Sequence, residues 1–84
     1  MDRAMWERHL AQAERHVEQG RRHAAAQRRI VDELRRDHHP VEMAERILEL
    51  YEDLLALHEE DAARLRKELE LARAPTPGAH QMLR

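Results

Sequence analysis

The sequence predicts an all-α fold, an antiparallel helical hairpin of coiled-coil type that pairs with a second copy into a four-helix bundle. Three observations carry that expectation. A seven-residue repeat runs through the first half of the chain, a single His-His-Pro break lies at its centre, and the two halves differ in charge. Apolar residues spaced alternately three and four apart mark a helix that packs along a seam against another helix.

Helix one opens at Asp2, a residue whose side chain caps exposed backbone N–H groups. Read from Glu7, the repeat is ERHLAQA, ERHVEQG, RRHAAAQ, RRIVDEL, RRDHHPV. Arg8, Arg15, Arg22, Arg29 and Arg36 recur at one heptad position and His9, His16 and His23 at the next. Apart from Gly20, nothing interrupts helix propensity over about residues 3–36.

The turn is Asp37-His38-His39-Pro40. Proline suits the first turn of a helix and biases its predecessor away from α geometry, so Pro40 is expected to open helix two. That helix is expected over about 41–72, closing a hairpin domain of residues 1–73. Residues 74–84 hold two prolines and a glycine without periodicity, the pattern of a disordered tail.

Seam positions a and d follow from the repeat. Helix one supplies Leu10, Val17, Ala24 and Val31 at a, with Trp6, Ala13, Gly20, Gln27 and Leu34 at d. Helix two supplies Val41, Leu48, Leu55, Ala62 and Leu69 at a, with Ala44, Tyr51, His58, Leu65 and Ala72 at d. Folding back at 37–40 is expected to bring Val31 to Leu48, Ala24 to Leu55, Val17 to Ala62, Gln27 to Tyr51, Gly20 to His58 and Ala13 to Leu65. The flank gives an independent register. Glu7–Arg73, Glu14–Arg66, Arg21–Glu59, Arg28–Glu52 and Arg35–Glu45 are all opposite in sign. A slip of one heptad creates Arg21–Arg66 or Glu14–Glu59, so charge selects the alignment.

The other flank places His9 by Glu68, His16 by Asp61, His23 by Leu54 and Ile30 by Ile47. Ile30, Met43, Ile47, Leu50, Leu54 and Leu57, with Ala26, then share one side that a two-helix seam does not bury. Chains this short usually need oligomerisation or another staple. These six large residues are the expected interface of a homodimer; a helix of another protein is the alternative occupant.

Three further constellations bear on chemistry. His16, His23, His58 and Asp61 suggest a zinc, copper or nickel site, with an imidazole filling the gap at Gly20. Against it, no HxxxH or HExxH pair is present, and His16 and His23 lie two turns, on the order of 10 Å, apart. The arginine stripe (Arg8, Arg15, Arg22, Arg29, Arg36) suggests weak nucleic-acid binding. Against that, Glu18, Asp32 and Glu33 lie within a turn of it and no aromatic interleaves for base stacking. No Cys or Ser is present and Thr76 is the sole Thr, so no catalytic residue is expected and no cofactor is required. The reading is a non-enzymatic structural or protein-interaction module.

Composition agrees. Without cysteine there is no disulfide framework and no Cys-based zinc site. A net charge of −2 gives no global attraction to nucleic acid or anionic lipid. Residues 1–40 hold nine Arg against seven acids and 41–84 six Lys or Arg against ten acids, which favours pairing between the halves. No apolar run spans a bilayer and residues 1–10 lack a secretion signal, so a cytoplasmic location is expected.

The run AERHVEQGRRHAAAQRRIVDEL and the return LHEEDAARLRKEL resemble small uncharacterised helical-hairpin proteins of soil α-proteobacteria, over roughly residues 8–70. The resemblance implies that His16, Gly20, His23, Gln27 and His58 occupy recurring positions of that group, which has no assigned activity. It departs at the loop, where His38-His39-Pro40-Val41 stands for an expected Gly-His-Asp-Thr.

Overall fold

The computed structural model describes residues 2–73, so the expected tail at 74–84 lies outside the described residues. Two helices, α1 (Arg3–Arg36) and α2 (Glu42–Arg73), pack against each other as an antiparallel hairpin. Asp2 caps α1 as its position predicts: its Oδ1 accepts the Met5 backbone N–H at 2.8 Å. Arg35 and Arg36 in the last turn of α1, and Glu42 and Glu45 in the first turn of α2, complement the two helix dipoles.

The connection is a Schellman closure. The His38 N–H donates to the Arg35 carbonyl at 3.1 Å and the His39 N–H to the Leu34 carbonyl at 2.9 Å. This geometry needs a left-handed residue at its pivot. His38 takes it with φ of 60°, where glycine carries no steric cost. Pro40 does not open α2 as expected. The Val41 carbonyl accepts the Glu45 N–H at 2.8 Å, so Val41 stands at the N-cap and Pro40 one residue before it. The Schellman bonds already fix the chain as far as His39, and proline serves as a stiff, donor-free bridge between the two closures.

The seam residues form the core. Ala13, Val17, Ala62 and Leu65 make a buried cluster, with Trp6, Leu10 and Leu55 packed against it. Ala24, Val31, Ala44 and Leu69 are also buried. Four of the five expected flank pairs form: Arg35–Glu45 at 2.6 Å, Arg28–Glu52 at 2.7 Å, Arg66–Glu14 at 3.0 Å and Arg21–Glu59 at 3.4 Å. The fifth, Glu7–Arg73, involves a side chain outside the described ones; Glu7 lies 3.3 Å from Arg3.

The layer at Gly20 differs from the expected one. A Cβ on Gly20 would meet Leu55, at 3.2 Å from its Cδ1, and not His58. Buried Gln27 donates through Nε2 to the Ala44 carbonyl at 3.0 Å. Side chains lean toward the N-terminus of their own helix. In an antiparallel pair the two sets therefore lean in opposite directions, and a d residue of one helix falls level with an a residue of the other. Gly20 is then level with Leu55. The flank register is unchanged; the pairing at Gly20 moves by half a heptad.

Candidate functional site

Histidines come first, because the half-heptad shift redistributes them. His58 does not enter a gap at Gly20, which Leu55 fills. It pairs with His16 across the seam, ring centroids 5.0 Å apart and planes tilted by 49°. His23 packs on Tyr51 with centroids 5.5 Å apart. His16, His23 and His58 thus divide between two separate ring pairs. Asp61 lines a hollow with His9, Gln12 and His16, and it is ion-paired to Arg64. Among the described residues no group of three or more His, Asp or Glu side chains is placed to hold a metal ion.

The arginine stripe lies along the exposed face of α1. Within it Arg22 bonds Glu18 one turn back at 2.8 Å. A hollow beside that pair is lined by Arg15, His16, Glu18, Gln19 and Arg22, all from two turns of a single helix. Relief on one helix leaves a bound molecule open to water on its far side, unlike the concave, largely enclosed sites that hold small ligands.

The apolar face is the most prominent surface feature. Ile30, Met43, Ile47, Leu50, Leu54 and Leu57 are all among the exposed large hydrophobic residues, from 36% for Ile47 to 67% for Met43. Each predicted interface residue is therefore left at least about one third exposed by the hairpin. Five of them belong to α2, where Met43, Ile47, Leu50, Leu54 and Leu57 follow one another at spacings of four, three, four and three. That is the spacing of a coiled-coil seam. Helix α2 thus carries two seams: one meets α1, and the other faces water beside Ile30.

The second seam ends abruptly. Its next positions are Asp61, Arg64 and Glu68, and the exposed Leu71 beyond them is isolated from the patch. Sequence reasoning found the patch but not its internal 4-3-4-3 order. It also missed the His16–His58 and His23–Tyr51 contacts, which depend on the direction of side-chain lean.

Among the described residues no helix is long and apolar enough to cross a membrane. No family model, curated protein or solved structure matches this chain.

Proposed function

We propose that this chain is a non-enzymatic structural or protein-interaction module that self-associates through its apolar hairpin face to build a four-helix bundle. One observation carries the reading: the five-residue heptad seam on α2, widened by Ile30, gathers six of the seven exposed large hydrophobic residues among those described. Fully burying a Leu or Ile stabilises by roughly 1.5–3 kcal/mol, so leaving six large apolar residues wet is costly for an 84-residue chain. A second copy offers a matching apolar face, and closed twofold pairing is the commonest way such faces are covered.

Light scattering coupled to size exclusion tests this. The expected result is twice the 10.0 kDa chain mass for the wild type and a single chain mass for Leu54→Asp, which sets a charge within the patch. A folded wild-type monomer would overturn self-association and leave the face to a helix of another protein. A dimeric Leu54→Asp would overturn the choice of face.

A further inference from the structure

Resting on that self-association, we propose that the dimer forms along the second seam of α2, with the two α2 helices antiparallel and a twofold axis between Leu48 and Glu49. Three observations lead there: the order of the apolar residues, the charges beside them, and the partners those charges lack.

The seam supplies matched layers. In this alignment Met43 meets the second copy's Leu54, and Ile47 meets the second copy's Leu50. The twofold repeats both layers, giving four over about 17 Å of helix. All four layers are apolar on both sides. Leu57 and Ile30 cover the margins.

Charge selects the register. The outer flank of the second seam, one residue before Ile47, Leu54 and Asp61, is Arg46, Asp53 and Glu60. Antiparallel helices bring equivalent flanks together, as the Arg–Glu pairs of the hairpin itself illustrate. In the proposed register Arg46 faces the second copy's Asp53, twice per dimer. Moving one heptad toward the loop sets Arg46 against Arg46. Moving one heptad the other way sets Asp53 against Asp53 between two Arg46–Glu60 pairs, and two heptads set Asp53 against Glu60. Only the proposed register has opposite charges without a like pair.

Both groups are free to pair. Arg46 and Asp53 are exposed, and among the described residues neither makes an ion pair, whereas Arg21, Arg28, Arg35 and Arg66 on the inner flank are each engaged with a glutamate of the other helix. A parallel pair of α2 helices would set this flank beside Tyr51 and His58 and leave Arg46 and Asp53 without counter-charges.

The experiment is a charge-swap cycle on the full chain, reading the dimer dissociation constant by sedimentation equilibrium at low salt. Arg46→Asp and Asp53→Arg should each weaken the dimer about tenfold, because each converts two attractive contacts into repulsive ones. The double variant should return to within about twofold of wild type, and added salt should shrink all three differences. Far-UV circular dichroism should be unchanged, since neither residue contributes to the hairpin seam.

Weakening by Arg46→Asp together with a neutral or tightening Asp53→Arg would overturn the register in favour of Arg46 facing Glu60. Two silent single variants would overturn the proposed α2 register while leaving self-association standing. A wild type that stays monomeric would remove both proposals together.

Discussion

Gly20 is the residue whose replacement distinguishes the observed seam from the expected one. A methyl group there meets the Cδ1 end of a half-buried Leu55 at 3.2 Å, a close approach that the flexible end of a leucine relieves by giving a few tenths of an ångström. Alanine also removes the entropic cost of glycine inside a helix, close to 1 kcal/mol. Gly20→Ala should therefore raise stability by about 0.5–1 kcal/mol in a denaturant melt. Gly20→Leu should lower it by about 1–3 kcal/mol through overpacking. A layer built on His58 would predict that the leucine variant is relieved by His58→Ala. The observed layer predicts relief by Leu55→Ala instead. Gln27 is the other residue-scale departure from an apolar seam. Its amide bonds a carbonyl of the facing helix, and among the described residues no buried side-chain nitrogen or oxygen lacks a partner. Replacing it with Leu removes the donor without orphaning the helix carbonyl, so stability should stay within about 1 kcal/mol.

The turn and the two flanks act at the scale of elements. His38 holds the left-handed pivot of the Schellman closure against the steric cost of its Cβ. His38→Gly should therefore stabilise the hairpin by about 1 kcal/mol, measured as a shift in midpoint without change in the denaturant slope. The break itself was legible in the sequence from Pro40, but its geometry was not. Proline announces that a helix cannot pass through, whereas the Schellman bonds depend on carbonyls of the preceding turn. The flank charges were more informative than the apolar residues. Each exposed pair contributes only about 0.2–1 kcal/mol, yet four of them agree on one alignment and none opposes it. Arg28→Glu combined with Glu52→Arg should recover most of the stability that either change loses alone, with a coupling of about 0.5 kcal/mol in a double-mutant cycle.

For the whole molecule, two helices bury one seam and expose another. With a second copy covering the second seam, as proposed, the melting temperature should rise with protein concentration. In Leu54→Asp that dependence should disappear, which a dilution series of thermal melts would check. The two patterns on α2 also explain why the candidate face could be read before the fold was seen. Apolar residues at Met43, Leu50 and Leu57 repeat every seven positions but fall outside the a and d positions, and no single partner helix covers both stripes.

Periodicity and sign of charge are properties of the linear chain, and by themselves they determined the two helices, the turn between them, the flank register and the uncovered apolar residues. Which side chains touch inside the seam was decided only in three dimensions. The Cα–Cβ bonds of antiparallel helices lean opposite ways, and that lean sets Leu55 against Gly20, His58 against His16 and Tyr51 against His23. Heptad letters carry no record of that direction, because they count residues along one helix and the lean appears only between two.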